Sequence, residues 1–362
     1  MEQQPAAVLP SKPHYDILDG LRGIAAIAVV IYHFMECVIT DFTKNPIGHG
    51  FLAVDFFFCL SGFVIGYAYD NRIGKLGVKG FFKSRLIRLH PLVVLGSVLG
   101  LLGFLFDPFS TDQQAYQAGS VLLIFLTSLL LIPYPVMEQR YFNNFPFNAP
   151  AWSLFWEYIS NILYALVLVR ISRRALLLVT IAAGVLLCYV AYRAENLMGG
   201  WSGSNFWDGG ARVAYSFSAG LLVYRSNWII KNRLGFIGLG ILLSATFVMP
   251  WFSWNWVAES LVVLFYFPLL VSMGAGARLA PALKNVCVFS GKISYPLYMT
   301  HYTFIWIFAH HLAQYKPGTE QLIWIIVSGI IFLVFFAYLV MVLYDTPVRR
   351  YLTNLLLCKK PS

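Results

Sequence analysis

One long apolar stretch near the start of the chain carries three ionisable side chains, and few folds accommodate that combination. Residues 17–39 are long enough to cross a bilayer, which takes about 20 residues at 1.5 Å each. His33 follows Arg22 by eleven positions, and Glu36 comes one turn later. Arg22 and His33 therefore share a helix face, about 16 Å apart along the axis. A mid-membrane charge costs about 2.5 to 3.5 kcal/mol, so this face must contact other helices or a polar cavity.

The composition places the whole chain in the same class. Of its 362 residues, 59% are hydrophobic and 12% are charged, whereas a soluble domain is about a quarter charged. The net charge of +10 comes from clusters of Lys and Arg that fit cytoplasmic loops. Membrane orientation explains these clusters, so no nucleic-acid partner is expected. The five cysteines show no spacing typical of a disulfide framework or a metal site.

The sequence predicts an all-α polytopic integral membrane protein with about ten transmembrane helices and both termini in the cytoplasm. Residues 1–15 are expected to be a disordered cytoplasmic tail, 16–350 the transmembrane domain and 351–362 a second cytoplasmic tail. The apolar run 118–136 is interpreted as a re-entrant or interfacial hairpin on the outer side, because a further span would invert every later basic loop. The predicted spans are 17–39, 51–69, 81–106, 151–170, 174–192, 210–225, 235–251, 257–273, 290–313 and 320–344.

Two arginines follow a predicted basic loop, where an amphipathic helix begins near Phe81. Arg85 and Arg88 are three positions apart and share a helix face. Guanidinium groups match phosphate geometry, so the pair suits a phosphorylated cytosolic ligand. An anchor to anionic lipids explains the same pattern.

Other polar residues within apolar runs leave alternatives open. Glu36 either orients the His33 imidazole or faces water at the outer surface. Trp152 and Trp156 suit an interfacial aromatic belt, whereas Glu157 lies inside its apolar run. In the penultimate predicted span, Tyr295, Tyr298 and His301 recur on one stripe, a pattern also typical of interhelical hydrogen bonds.

Together these residues resemble the acyltransferase-3 family of membrane acyltransferases, which includes bacterial O-acetylases of O-antigen and exopolysaccharides. The likeness extends over nearly the whole chain and rests on five blocks in order. These are Arg22-x10-His33, Phe57-Phe58-Cys59-Leu60-Ser61-Gly62-Phe63, Arg85-Leu86-Ile87-Arg88 with Pro91, Trp152-Ser153-Leu154 with Glu157, and Ser294-Tyr295-Pro296-Leu297-Tyr298 with His301.

The resemblance implies transfer of an acyl group, expected to be acetyl, from cytosolic acyl-CoA to a hydroxyl of an extracytoplasmic or lipid-linked carbohydrate in a bacterial inner membrane. His33 is then the general base, or the nucleophile of an acyl-histidine intermediate, supported by Arg22 and Glu36. The remaining implied roles fall into two groups. Acyl-CoA binding is assigned to Arg85, Arg88, Ser61, Tyr295 and Tyr298, and acceptor binding or support to Asp55, Trp152, Glu157 and His301.

Two departures and two rival functions accompany this interpretation. The last block reads Asp345-Thr346-Pro347, whereas the family usually has Glu in place of Asp345. Many relatives also carry a C-terminal hydrolase-like domain, and transfer by the membrane domain alone is expected here.

Buried His, Arg and Glu side chains suit a sugar or ion transporter or flippase equally well. A non-catalytic scaffold for a polysaccharide synthase is the third alternative, and no tightly bound cofactor is expected.

Overall fold

The computed structural model describes residues 14–357, and this part of the chain is helical, with no strand. Long apolar runs favour helices because a helix satisfies every backbone hydrogen bond within one segment. The helices are α1 Asp16–Val38, α2 Ala53–Tyr69, α3 Ile73–Phe106, α4 Ala118–Leu129, α5 Ala151–Leu166, α6 Arg173–Ala194, α7 Phe206–Arg225, α8 Gly235–Phe247, α9 Asn255–Leu261, α10 Phe267–Gly276, α11 Lys284–Tyr315, α12 Thr319–Val340 and α13 Thr346–Leu356.

The bundle has two ends. The basic end contains Arg225 at the end of α7 and Asp70 after α2, and Arg225 Nε lies 2.7 Å from Asp70 Oδ2. At the other, the loop end, the long connections meet. There the backbone N–H of Asn144 donates to Trp201 O at 2.9 Å, and His310 Nδ1 lies 2.6 Å from Asp107 Oδ2.

Glycines allow the central helices to approach closely. A Cβ at Gly62 of α2 would lie 2.0 Å from Phe217 O, and one at Gly220 of α7 would lie 1.8 Å from Cys59 O. Such reciprocal contacts between small residues are typical of helix crossings in membranes. The backbones of α2 and α7 are therefore in direct contact at these glycines.

Seven helical segments within residues 14–357 are long and apolar enough to cross a membrane. Three further helices, α7, α8 and α11, also connect the two ends of the bundle, but α8 has only 13 residues, and α7 and α11 are not among the seven. The chain is thus a multi-pass helical protein, as predicted. The count of about ten spans and the cytoplasmic position of both termini stay predictions.

The segment 107–150 leaves the loop end and returns to it. Its helix α4 has 12 residues, which makes it about 18 Å long, shorter than a hydrocarbon core of about 30 Å. Ile124 of α4 packs with Phe104 and Phe147, so the helix lies against the last turns of α3. This path agrees with the predicted hairpin that does not span.

Several predicted boundaries differ from the structure. The predicted basic loop is largely helical, because α3 already begins at Ile73 and breaks only at Gly77, whose φ of 71° suits glycine. The predicted tail 351–362 is helical as far as Leu356, continuing α12 through a π-helical turn at Met341–Asp345. Of the predicted disordered tail 1–15, residues 1–13 lie outside the described part of the chain.

Candidate active site

A cavity of about 550 Å³ opens at the loop end, between α1, α11 and the connections. Its wall combines polar side chains with aromatic rings, a mixture that suits a ligand with both hydroxyl groups and apolar faces. His33 of α1 points into it. The other lining residues that matter below are Glu36, Arg140, Trp152, Tyr298 and Trp306.

His33 is held by the carboxylate one turn further along α1. His33 Nδ1 lies 2.5 Å from Glu36 Oε1, and the two side chains are 20% and 22% exposed. Because Glu36 accepts from Nδ1–H, the neutral imidazole keeps its lone pair on Nε2. Of the two roles open for Glu36, the geometry favours orientation of the imidazole.

A second histidine lies beneath the first. The ring of His301 stacks on that of His33, with centroids 5.3 Å apart and planes 28° apart. His301 is fully buried, and its Nδ1 donates to Tyr298 O at 2.9 Å. Its buried Nε2 has no hydrogen-bond partner among residues 14–357.

A second cavity of about 450 Å³ opens at the basic end. The sequence blocks at 57–63, 85–88, 152–157 and 294–298 all reach this space through at least one side chain. The candidate residues that line it are Arg22, Ser61, Arg85, Arg88, Glu157, Tyr295 and Tyr298.

Arg85 differs from the predicted surface cation. It is 4% exposed, and its Nη2 lies 2.7 Å from Glu157 Oε1, which also accepts from Ser61 Oγ at 3.1 Å. Arg88, on the next turn, is exposed. The two arginines therefore do not form one exposed phosphate clamp, because Arg85 is buried and already pairs with Glu157. Arg349 of α13 is the additional guanidinium at this cavity.

The cavities approach each other at Tyr298 and Val54, which line both. Tyr298 shares a 2.7 Å hydrogen bond with Ser153 Oγ, while Tyr295 donates to Leu89 O at 2.6 Å. Both tyrosines thus form hydrogen bonds to neighbouring helices, which was the alternative explanation of their spacing. Tyr298 also forms part of the wall where the two spaces meet.

Arg22 joins α1 to α11 near the basic end. Its Nε donates to Ser294 Oγ at 3.0 Å, and its Nη2 to Gly291 O at 2.8 Å and to Asp19 Oδ1 at 2.8 Å. Arg22 therefore anchors the helix that carries His33, as expected of a supporting residue.

Asp55 lines neither cavity. It is fully buried in an ion pair with Arg212, whose Nη2 lies 2.6 Å from Asp55 Oδ2. The Arg212 guanidinium lies 5.2 Å from the ring of Trp152. Trp152 is 8% exposed and Trp156 6%. The aromatic-belt alternative is therefore wrong for these two tryptophans, since both pack inside the protein.

Sequence reasoning missed two arginines in this region. Arg212 was not associated with Asp55, and Arg140 received no role, although it is 3% exposed and lines the loop-end cavity. Arg140 occurs in a connection without helical periodicity, and its ring contact with Trp306 spans 166 positions of the chain. No pattern in the neighbouring sequence predicts such a contact. The one sequence feature that could have singled out Arg140 and Arg212 is their position outside the clusters of Lys and Arg.

These features define a class of multi-pass membrane protein with a histidine–carboxylate pair in one of two cavities that share a wall at Tyr298 and Val54. The acyltransferase-3 family pattern, described as an acyltransferase domain, matches residues 15–342. The chain therefore belongs to this family.

The chain is also similar to individual proteins of bacteria. It is 33% identical to a protein of the picA locus of Rhizobium radiobacter, over 48% of this chain and 93% of that protein. It is 25% identical to a putative O-acetyltransferase of Staphylococcus aureus strain COL and 23% identical to the O-acetyltransferase OatA of strain NCTC 8325. These matches cover 92% of this chain but only 57% of each staphylococcal protein. No solved structure gives a significant match.

Proposed function

We propose that the protein transfers an acyl group, in the simplest case acetyl, from acyl-CoA to a hydroxyl group of a carbohydrate. The observation that carries this proposal is the position of the His33–Glu36 pair in a cavity that meets a second cavity at Tyr298. The names of the staphylococcal relatives support O-acetyl transfer. Acyl-CoA enters from the basic end and the carbohydrate from the loop end.

His33 acts as the general base in this mechanism. Its Nε2 takes the proton of the acceptor hydroxyl while the oxygen attacks the carbonyl carbon of the thioester. Collapse of the tetrahedral intermediate breaks the carbon–sulfur bond, and the protonated His33 returns the proton to the leaving thiolate. Glu36 stabilises the imidazolium that exists between these steps. Atoms and charge balance, and the products are an ester and free CoA.

The donor is held by the wall of the basic-end cavity. Arg88 and Arg349 offer guanidinium groups to the phosphates, while Arg85, Ser61 and Glu157 form the packed floor. The pantetheine arm extends along Tyr295 towards Tyr298. This assignment moves one predicted phosphate contact from Arg85 to Arg349. Both arginines are paired, Arg85 with Glu157 and Arg349 with Asp345, but the Arg349 side chain is 35% exposed whereas that of Arg85 is only 5% exposed.

The test is acyl transfer by purified protein in nanodiscs, with acetyl-CoA and a glycan fraction from the native host, read by mass spectrometry of the glycan. We expect His33→Ala to lower the rate by about 10² to 10⁴, the usual contribution of a positioned base. His311→Ala is the matched control. The His311 ring contacts Phe109 and Tyr315 and lines neither cavity.

Full activity of His33→Ala would remove the base assignment. A wild-type protein that moves sugar across proteoliposomes without consuming acetyl-CoA would instead support the transporter alternative. Dispensability of His33 for glycan production in cells, with no transfer activity in vitro, would support the scaffold.

A further inference from the structure

Arg140 is a buried cation that forms no ion pair with any residue of the described segment 14–357. Its side chain is 3% exposed, and within residues 14–357 it makes no hydrogen bond and no ion pair. It nevertheless lines the loop-end cavity together with His33. Every other deeply buried arginine of the described chain has a carboxylate: Arg85 has Glu157 and Arg212 has Asp55.

The guanidinium keeps its charge despite burial. Burial lowers the pKa of Arg140 to about 10, so the group stays protonated at neutral pH. The ring of Trp306 lies 4.2 Å below its central carbon and that of Phe104 5.9 Å away. Cation–π contacts compensate only part of the lost hydration, and a buried charge normally also has an anion beside it.

Asp112 and Asp107 attract the Arg140 guanidinium through space, but both contact His310 and neither forms an ion pair with Arg140. Asp107 lies 2.6 Å from His310 Nδ1, and Asp112 lies 3.5 Å from His310 Nε2. Glu36 is bound to His33. No acidic side chain among residues 14–357 lies within ion-pair distance of Arg140. The missing anion is therefore expected to come from the ligand.

We propose that Arg140 binds an anionic substituent of the acceptor, a carboxylate or a phosphate, so that the acceptor is an acidic carbohydrate. A guanidinium presents two parallel N–H groups that match either oxyanion. Tyr141 and Trp201 line the same cavity and offer aromatic faces to a sugar ring. This inference rests on the proposed function in placing the acceptor at the loop end.

The experiment measures binding without acyl-CoA. Isothermal titration of the protein in nanodiscs compares methyl β-D-glucuronide with methyl β-D-glucoside, which has a hydroxymethyl group in place of the carboxylate at C6, and with glucose 6-phosphate. We expect the wild-type protein to bind at least one of the anionic sugars about tenfold more tightly than the neutral glycoside. The preferred anion then identifies the source of the charge.

Arg140→Gln should remove this preference, and Arg140→Lys, which keeps the charge but not the planar fork, should retain part of it. Arg193→Gln is the matched control, because Arg193 pairs with Asp208 at the same end of the bundle and does not line the cavity. A wild-type protein without preference, or an unchanged preference in Arg140→Gln, would overturn the inference.

His33→Ala separates this inference from the proposed function. It should keep the preference for the anionic sugar, because His33 acts on the hydroxyl and not on the charge. If acyl transfer fails while the preference persists and depends on Arg140, the anion site stands and the proposed reaction does not. If transfer proceeds equally with neutral and acidic acceptors in both wild type and Arg140→Gln, the reaction stands and the anion site does not.

Discussion

Glu36 binds Nδ1 of His33 and leaves Nε2 free for the proton transfer proposed above. The contact is local, since the two residues are three positions apart on α1. The sequence could therefore predict it as one of two alternatives, because residues at this spacing share a helix face. The His33–His301 stack is different in kind, since it joins α1 to α11. Both histidines were candidates, but their contact depends on how the helices pack.

Glu36→Gln is expected to act through His33. The amide oxygen still accepts from Nδ1–H, but the charge that stabilises the imidazolium is gone, so kcat should fall about tenfold or more while both KM values stay unchanged. Steady-state kinetics measures this split. Glu36→Asp should recover part of the rate, and Glu320→Gln, at an exposed position on α12, is the control.

The coupling of the two residues gives a sharper outcome. In a His33→Ala background, Glu36→Gln should cause no further loss, because its only route to the reaction has been removed. Equal losses in both backgrounds would show that Glu36 acts independently of His33.

At the scale of elements, the loop before α2 is fastened to α9 by His49. His49 Nδ1 lies 3.0 Å from Met249 O, and Nε2 lies 2.9 Å from Asn255 Oδ1. The amide nitrogen of Asn255 donates to Glu259, so its oxygen is the atom that faces His49. Both imidazole nitrogens thus face acceptors, which favours the imidazolium. Nothing in the spacing of His49 indicated this fastening, because its partners are about two hundred positions away.

This fastening predicts a pH dependence of stability. Burial alone would lower the pKa of His49, but its hydrogen bonds to Glu259 and Asn255 raise the pKa above the ordinary value. The stabilisation is then complete below about pH 6.5, the ordinary pKa of histidine, and is lost as the pH rises through the raised value. We expect the difference in thermal unfolding temperature between wild type and His49→Gln to shrink from pH 6 to pH 9. A difference that stays constant, as expected for His311→Gln, would contradict it.

At the scale of the whole molecule, the order of helices follows from apolar length, and the sequence predicted most of it. Long apolar runs can be recognised directly as helices, and the clusters of Lys and Arg indicate which loops lie on the same side of the membrane. What the sequence could not give is which polar groups neutralise one another. Arg85 with Glu157 and Arg212 with Asp55 join helices far apart in sequence, and these pairings decided which predicted candidates remain free to bind ligand.

Substitutions at the basic end should change KM for the donor without changing KM for the acceptor. Arg88→Gln is expected to raise KM for acetyl-CoA about tenfold, since a charged hydrogen bond to phosphate contributes roughly 1.5 to 3 kcal/mol and part of it is exposed to water. Arg88 is the residue of choice because Arg349 also pairs with the buried Asp345. KM for the glycan acceptor should not change. Lys316→Gln, an exposed substitution after α11, is the control. A parallel rise in both KM values would argue against separate entry routes.

The shared wall at Tyr298 and Val54 has a consequence for the cell. In the proposed reaction only the acyl group passes Tyr298, which is hydrogen-bonded to Ser153, while the nucleotide and the sugar each stay on their own side. The membrane would then keep its electrical seal through each turnover, and only two carbons would change sides.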